Sequence, residues 1–495
     1  MRVLFVDIDS LRPDHLGCYG YARPTSPTID AVAAEGMIFR NCFTSDAPCL
    51  PSRMALSTGR LGIHSGVVGL SGATADPFPI GADRAFGVQP DALPWFSALR
   101  ELGVHVTTIT SFPERHAAWN FCAGANEWFN PGLQGYELAS DVNRFALPWL
   151  RENAQRDNWF LHVNYWDPHT PYRTPPEFGE PFATYDPPPW YSEDIRLKHW
   201  QEAGAMTASD PMSWWEADSV RWPRMPDSIA SVDDWRGRID GYDTGVRYVD
   251  EHLGELLAVL EEKGVSEETA IVITSDHGEN LGELNVYSDH HTADVMTCRV
   301  PLIIKWPGVT HPNSESSAFI YQFDFAATSI ELLGGEVPLL WDARSFAPAT
   351  MGRDFEGYDY LVFGQMAWNC QRSVRFDEWL LIRSYHPGWR NLPATMLFNI
   401  EADPHETDNR ADERQDIVRQ GLALLDEWHA FSMSRSHHEV DPLQVVLREG
   451  GPGVLKDHLA AYCRALRSRG EEMAAETIEK SWRSAQTCMP PPHVV

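Results

Sequence analysis

The sequence predicts an α/β protein in which a mostly parallel central sheet flanked by helices precedes a smaller C-terminal domain with an antiparallel sheet. The length of 495 residues exceeds the usual size of one domain and favours one large and one smaller unit. Over the first 345 residues, short runs rich in β-branched and aromatic residues alternate with helical patterns, which is typical of a parallel sheet. Beyond residue 345 the strand-like runs follow one another closely, as in an antiparallel sheet.

Five runs predict strands of the central sheet: Val3–Asp9, Val104–Thr110, Trp159–Tyr165, Ala270–Thr274 and Pro301–Trp306. The clearest helix carries its apolar residues on one face, at Val249, Leu253, Leu256, Leu257 and Leu260, and ends near Gly264. Because such sheets bind ligands at the carboxyl ends of their strands, polar residues directly after the strands are candidates for chemistry. Three runs predict the small sheet: Tyr360–Gly364, Arg372–Phe376 and Trp379–Ser384.

The pattern divides the chain into a large domain, 1–345, a small α+β domain, 346–435, and a tail, 436–495. The segment 171–240 interrupts the large domain with three consecutive prolines and six tryptophans, which indicates an insertion. It is either a packed surface excursion or a wall of the substrate pocket. The tail is polar and then helical over Val454–Arg469 and Glu471–Ser484, and we expect it to contact a second subunit in a homo-oligomer.

The net charge is 40 basic minus 70 acidic residues, or −30. Such an acidic chain is unsuited to general binding of nucleic acid or of an anionic membrane, because both require a basic surface. Eight cysteines are too few for a disulfide scaffold, and no apolar run approaches the roughly 18 residues of a membrane span. The N-terminus lacks a signal-peptide pattern, so that we expect a cytoplasmic protein.

The strongest local signal begins at Cys49, in the string Cys-Leu-Pro-Ser-Arg. Pro51 suits the first turn of a helix, which puts Cys49 at a helix N-terminus, where free N–H groups and the helix dipole favour anions. Arg53 lies four residues on and therefore on the same helix face. Taken alone, Cys49 is more simply a buried cysteine that precedes an ordinary helix.

The full string from Cys49 to Arg60, C-L-P-S-R-M-A-L-S-T-G-R, resembles the signature of Cys-type sulfatases of the alkaline-phosphatase-like superfamily. The resemblance implies that a formylglycine-generating enzyme oxidises Cys49 to formylglycine, whose hydrate is held on a metal. One hydroxyl of the hydrate attacks the sulfur of a sulfate ester and gives a covalent sulfo-enzyme intermediate, and the other hydroxyl expels the sulfate. In this family Arg53 would steady the nucleophile and the metal ligands.

Two acidic segments match the metal ligands of that family. Asp9, at the end of the first strand, matches the first member of a common aspartate pair, but Ser10 stands where the second aspartate would be. Related phosphonate monoester hydrolases also lack this second carboxylate. Asp7 shares a strand face with Asp9 and is either a substitute ligand or, as we favour, a support for the ligands. Asp276 and His277 follow another predicted strand and complete the site.

The predicted metal ligands are thus Asp9, the modified residue at Cys49, Asp276 and His277, around one divalent cation. Carboxylate ligands favour Ca²⁺, and the histidine makes Mn²⁺ a real rival, with Mg²⁺ as a third option.

Histidines in two segments resemble the catalytic and sulfate-binding groups of the family. His169 opens His-Thr-Pro-Tyr, which is similar to an H-x-P-Y segment whose histidine contacts the sulfate and protonates the leaving oxygen. His290, counted back from the sequence Arg-Val-Pro-Leu that begins at Arg299, falls where many sulfatases have a sulfate-binding lysine. His291 is a further substrate-binding candidate beside it.

A third basic segment departs from the family. Many sulfatases carry Gly-Lys-Trp-His after the strand that corresponds to Val104–Thr110, but this chain has no lysine there. The resemblance implies that Arg115 supplies the charge as a substrate-binding residue, or that His116 does so as a catalytic one. Near the C-terminus, 397–409 resembles the family segment L-Y-D-L-x-x-D-P-x-E-x-x-N, for which we expect a structural role.

These matches predict a sulfuric ester hydrolase that cleaves a sulfate monoester of a small molecule or a saccharide. A rival with the same nucleophile is a phosphonate monoester or phosphodiester hydrolase, which Ser10 and the Asp276–His277 pair favour. A rival of another class is an inactive binding protein in which Cys49 remains a thiol.

Overall fold

The computed structural model describes residues 1–78, 90–202, 204–212, 222–390 and 392–487. Trp214 and Trp215 of the predicted insertion, and residues 488–495 of the tail, lie outside these ranges. The strands are β1 (Arg2–Ile8), β2 (Met37–Phe43), β3 (Asp46–Ala47), β4 (His105–Ile109), β5 (Glu127–Phe129), β6 (Trp159–Tyr165), β7 (Thr269–Thr274), β8 (Asn280–Leu281), β9 (Tyr287–Asp289), β10 (Arg299–Lys305), β11 (Ser314–Tyr321), β12 (Tyr360–Gln365), β13 (Cys370–Phe376), β14 (Trp379–His386) and β15 (Thr395–Asn399).

The helices alternate with these strands over the first two thirds of the chain. They are α1 (Pro27–Ala34), α2 (Cys49–Thr58), α3 (Gly62–Ser65), α4 (Trp95–Glu101), α5 (Phe112–His116), α6 (Ala139–Asn153), α7 (Glu193–Trp200), α8 (Val232–Glu262), α9 (Val295–Cys298), α10 (Asp324–Leu332), α11 (Ala347–Thr350), α12 (Gln415–Arg435), α13 (Pro442–Arg448), α14 (Gly453–Ser468) and α15 (Glu472–Thr487). Among the described helices, none combines the length and the apolar character that crossing a bilayer requires.

The central sheet has eight strands in the order β11-β2-β10-β7-β1-β6-β4-β5. All neighbouring pairs are parallel except those of β10, which runs antiparallel to both β2 and β7. Alternate residues of β1 enter opposite cores: Val3 and Phe5 pack on one face, Leu4 and Val6 on the other. The predicted α/β fold with a mostly parallel sheet is therefore confirmed.

The small sheet has the order β15-β14-β13-β12-β3. Its C-terminal strands pair antiparallel, as the sequence predicts, and α12 packs across β13 and β14. The fifth strand comes from the large domain, because Asp46 and Ala47 pair parallel to Gly364 and Gln365. The segment directly before Cys49 thus belongs to the small sheet, which fixes the start of α2 between the two sheets.

The predicted insertion, 171–240, ends within helix α8. Helix α8 begins at Val232 after a capping box in which Ser231 and Asp234 exchange hydrogen bonds. Trp235 is fully buried, and Trp190 stacks on His405 of the small domain with ring centroids 4.4 Å apart. The described part of the insertion therefore packs closely against both domains.

The tail helices pack on their own chain. Tyr462 of α14 stacks on Trp389 with ring centroids 4.5 Å apart, and its hydroxyl donates to Asp210 of the predicted insertion. Arg469 forms an ion pair with the same carboxylate at 2.8 Å. These contacts bury an apolar cluster that includes Met206, and the tail thereby braces the insertion.

Candidate functional site

The site lies where the predicted strand-end segments meet. Asp9 follows β1, Asp276 and His277 follow the adjacent β7, and Cys49 begins α2. The hydroxyl of Ser52 donates to the backbone carbonyl of Asp276 at 2.6 Å and fixes the first turn of α2 to the end of β7. The parallel topology therefore brings together residues that are more than 200 positions apart.

Four side chains form a candidate metal centre: Asp9, Cys49, Asp276 and His277. All four are buried, and one ligand atom from each lies within 4.8 Å of the others. Cys49 Sγ is 3.2 Å from His277 Nε2, which in turn is 3.4 Å from a carboxylate oxygen of Asp276. The sequence predicts these same four side chains as metal ligands, and their role as ligands remains a prediction.

Ser10 occupies the position of the absent second aspartate with a positive φ of 61°. Its backbone N–H donates to Asp276 at 3.2 Å, and its hydroxyl donates to Asp9 at 3.0 Å. The residue therefore orients the two carboxylates of the cluster.

Arg53 is the cation that holds the acidic side chains together. Its Nε donates to Asp7 at 2.8 Å, and its Nη1 donates to Asp9 at 2.8 Å and to Asp276 at 2.6 Å. Asp7 also lies 3.6 Å from His162 and is outside the four-residue cluster. Asp7 thus contacts groups that orient the ligands.

The buried carboxylates of this centre outnumber the guanidinium groups that contact them. Burial raises the pKa of Asp276 to about 7, and the neighbouring Asp9 adds to the rise despite the opposing guanidinium of Arg53. Burial would also raise the pKa of Asp9, but Arg53, with nearby histidines, lowers it. Three buried carboxylates therefore share one guanidinium, and the mixed carboxylate and imidazole donors fit a divalent cation.

Two further imidazoles approach residue 49. One ligand atom each of Cys49, His169 and His290 lies within 4.8 Å of the others. His169 Nε2 is 4.0 Å from Asp9, and the His290 ring is 4.3 Å from that of His277. Burial lowers the pKa of His169 to about 3 and that of His290 well below its ordinary value, so that both rings are neutral without a bound anion.

His291 belongs to neither of the two groups of neighbouring ligand atoms. Its ring stacks on Trp368 of the small domain, with ring centroids 4.5 Å apart, and its Nε2 is 3.3 Å from Asp289. Asn369 donates to the backbone carbonyl of His291 at 2.6 Å. The structure therefore places His291 against the small domain.

Arg115 and His116 lie at the end of α5, beside the same centre. The Arg115 guanidinium lies over Trp166, 5.2 Å from the ring centroid. Burial lowers the pKa of His116, and the charges of Arg115 and Arg53 add to the effect. The Nε2 atom of His116 is buried without a hydrogen-bond partner among the described residues.

Sequence reasoning missed three polar groups around the site. Asp289 lies between His290 and His291, at 3.5 and 3.3 Å. Glu279 accepts a hydrogen bond from Tyr172 at 2.7 Å. The side chain of Arg173 donates to the backbone carbonyl of Trp166 at 3.0 Å. Asp289 directly precedes His290, Glu279 follows His277 by two residues, and Arg173 directly follows the segment His-Thr-Pro-Tyr. Their position next to these matched segments was the one sequence signal that could have identified them.

Comparison with known families gives two overlapping matches. Residues 2–335 match the family described as Sulfatase, and residues 282–425 match the family described as N-sulphoglucosamine sulphohydrolase, C-terminal. The first match covers more than half of the chain and includes every predicted site residue.

Among curated proteins, the chain is 26% identical over 487 residues to the multifunctional alkaline phosphatase superfamily protein PehA of Trinickia caryophylli, covering 83% of this chain and 91% of that protein. Among solved structures, it is similar to BT4656 in complex with its substrate D-glucosamine-2-N,6-O-disulfate, with a TM-score of 0.66, 19% identity and coverage of 88% and 98%. The phosphonate monoester hydrolase of Agrobacterium radiobacter gives a TM-score of 0.66, 19% identity and coverage of 88% and 96%. These two structures share the fold.

Proposed function

The chain belongs to the sulfatase family of hydrolases that act on sulfuric esters, within the alkaline-phosphatase-like superfamily, and from this premise we propose that it cleaves a sulfate monoester with a nucleophile derived from Cys49. The observation that carries the proposal is the convergence of Cys49 with Asp9, Asp276 and His277 in one buried cluster at the helix N-terminus. Oxidation of residue 49 to formylglycine by a maturation enzyme is part of the proposal.

Each polar side chain has a role in this proposal that its contacts support. Arg53 orients Asp9 and Asp276 by direct hydrogen bonds and stays charged throughout. His169 and His290 lie close to residue 49 and would donate hydrogen bonds to the sulfate oxygens. Binding of the anion would raise the pKa of His169 towards neutrality, which suits a general acid at the leaving oxygen.

Asp9, Asp276, His277 and residue 49 would hold one divalent cation, which we propose to be Ca²⁺, with Mn²⁺ as the rival that the imidazole ligand favours. When bound, such a cation polarises the sulfate and favours an ionised oxygen on residue 49.

Removal of the cation is expected to abolish turnover and to lower the melting temperature. A ligand present at about 100 times its Kd stabilises the folded state by about 2.7 kcal/mol, which EDTA would remove. Scanning calorimetry with and without EDTA, together with elemental analysis, measures the effect and identifies the ion.

Two variants make this test specific. In Asp276→Asn, EDTA should no longer lower the melting temperature, because a carboxylate ligand is lost. Asp324→Asn is the control, since Asp324 is equally buried but binds backbone N–H groups remote from the cluster, and EDTA should still lower its melting temperature. A wild-type protein whose activity and melting temperature do not respond to EDTA would refute the metal centre.

The substrate proposed is a sulfated saccharide or a small sulfate ester. The structural neighbour in complex with D-glucosamine-2-N,6-O-disulfate and the aromatic side chains of the predicted insertion both support a sugar.

A phosphonate monoester or phosphodiester hydrolase is the second candidate function. Ser10 in place of an acidic ligand, the Asp276–His277 pair and the similarity to a phosphonate monoester hydrolase fold favour it. The deciding experiment compares kcat/KM for an aryl sulfate and an aryl phosphonate monoester that share a leaving group. We expect the sulfate to be preferred, and a clear preference for the phosphonate would overturn the first proposal.

A further inference from the structure

Two arginines at the edge of the site form no ion pair with any described residue. Arg115 ends α5, and Arg173 follows the segment that carries His169. Both guanidinium groups contribute to lowering the pKa of His169, after the larger effect of burial, so both lie within electrostatic reach of its ring. We refer to these two residues as the arginine pair.

Among the residues that the structure describes, the hydrogen bonds of the arginine pair go only to backbone carbonyls. Arg115 Nη1 donates to Gln134 at 2.9 Å, and Arg173 Nη2 donates to Trp166 at 3.0 Å and to His169 at 3.4 Å. The Nε of Arg173 is buried without a hydrogen-bond partner among the described residues. Within the described ranges, neither arginine forms an ion pair, in contrast to Arg12 and Arg53.

Nearby carboxylates are already occupied. Asp167 accepts the backbone N–H of Ala139 at 2.9 Å. Glu137 accepts hydrogen bonds from Ser111, Leu133 and Gly135 at 2.6 to 2.9 Å. Both acids lie close enough to influence Arg173, but neither forms an ion pair with it. Among the described residues, no carboxylate is therefore in direct contact with either guanidinium, and the buried Nε of Arg173 remains as a donor for an anionic ligand.

An aromatic frame holds the two guanidinium groups on one ring. Arg115 and Arg173 lie 6.0 and 5.8 Å from the ring centroid of Tyr136, and Tyr136 stacks on Trp222 of the predicted insertion. Gly135, with a φ of 87°, leaves room for Arg115, because a Cβ there would lie 2.5 Å from Nη1. Such a frame fixes two like charges near each other, an arrangement that an intervening anion would stabilise.

We propose that the arginine pair binds a second anionic group of the substrate, so that the enzyme selects sulfate esters that also carry a carboxylate or a further sulfate. This proposal rests on the proposed function. The group that is cleaved would lie at Cys49, His169 and His290, whereas Arg173 contacts only the backbone of His169. Tyr136 is 40% exposed, so its edge would be accessible to the ring that joins the two anionic groups.

The test compares 4-carboxyphenyl sulfate with 4-carbamoylphenyl sulfate, which has a neutral group of similar shape. The measured quantity is the ratio of their kcat/KM values in wild type and in variants, because the intrinsic difference between the two leaving groups cancels in that comparison. Arg173→Gln and, independently, Arg115→Gln should each lower the ratio about tenfold, since a charge-assisted contact is lost. Arg236→Gln is the matched control and should leave the ratio unchanged, because Arg236 also donates to backbone carbonyls of the insertion but lies on its exposed face.

A third substrate, 1,4-phenylene disulfate, distinguishes a sulfate from a carboxylate as the second group. The proposal is overturned if both substrates lose activity equally in the variants, or if the ratio does not change in variants whose melting temperature is that of wild type. If no sulfate ester is hydrolysed at all, the proposed function fails, and the same ratio measured on the matching phosphonate monoesters tests the arginine pair separately.

Discussion

Replacement of Cys49 by serine is expected to lower steady-state hydrolysis by at least about a thousandfold while the protein remains folded. A serine hydroxyl can take up the sulfuryl group from the ester. It lacks the second hydroxyl of an aldehyde hydrate, so that the covalent adduct has no internal route of release. Cys49 is buried at the N-terminus of α2, 3.2 Å from His277, and serine fits the same space with a smaller atom.

The experiment measures product release in a rapid-mixing assay with an aryl sulfate. Cys49→Ser should give at most one equivalent of the aryl alcohol per active site, and Cys49→Ala should give none. Cys122→Ser is the control, since Cys122 is a free cysteine remote from the cluster. Full turnover by Cys49→Ala would rule out residue 49 as the source of the nucleophile. Because the variant would still hydrolyse the ester, that result would also contradict the alternative of an inactive binding protein.

Replacement of Arg53 by lysine is expected to reduce kcat/KM by about a hundredfold and to weaken cation binding. One guanidinium bonds three carboxylates at 2.6 to 2.8 Å, and an ammonium group cannot reproduce that fork. Complete removal of the charge, in Arg53→Ala, would leave Asp7, Asp9 and Asp276 uncompensated and cost about 3–5 kcal/mol of stability when the metal is absent.

Calorimetry and kinetics together separate the two effects. The melting temperature of Arg53→Lys should rise more on addition of a divalent cation than the melting temperature of wild type does. Arg372→Lys is the matched control, because Arg372 is a buried arginine of the small domain that makes a two-bond pair with Asp441 of the tail. This control should lose stability with little change in kcat/KM. An Arg53→Lys enzyme with wild-type kinetics would contradict the role given to Arg53.

The sequence alone predicted the five inner and neighbouring strands β1, β4, β6, β7 and β10 of the central sheet and the side chains of the candidate metal centre, but it did not predict β2, β5 or β11. The predicted strand Trp159–Tyr165 matches β6 residue for residue, because a strand buried on both faces is rich in large apolar and β-branched residues, even though β6 also contains the buried polar residues His162 and Asn164. Asp9, Asp276 and His277 could be placed at one edge because parallel strands end at that edge. The resemblance of the string that begins at Cys49 to the sulfatase signature then indicated the reaction, which the positions of the residues alone do not specify.

Other features depend on contacts between distant segments and left no periodic pattern. β3 has only two residues, and nothing in Asp46 or Ala47 indicates that they join the sheet of the small domain. His291 turns to Trp368 because of the small domain's position, although it directly follows His290. Arg173 gains its significance from Tyr136, 37 positions earlier, and no local signal connects the two.

The acidic character of the chain is compatible with an anionic substrate. The net charge of −30 includes Asp7, Asp9 and Asp276, which are committed to Arg53 and the proposed cation. Arg53 and the arginine pair supply positive charge near them, and the neutral rings of His169 and His290 add hydrogen-bonding groups. We therefore infer that substrate capture depends on short-range contacts and gains little from the field of the whole protein.

The central claim is that residue 49 is oxidised and carries the reaction. The most direct test is the mass of the proteolytic peptide that contains residue 49, taken from active enzyme co-expressed with a formylglycine-generating enzyme and compared with enzyme expressed without it. We predict that the co-expressed protein has the aldehyde in place of the CH₂SH group, and that its fraction rises in proportion to specific activity. A fully active protein in which Cys49 is an unmodified cysteine would contradict the account.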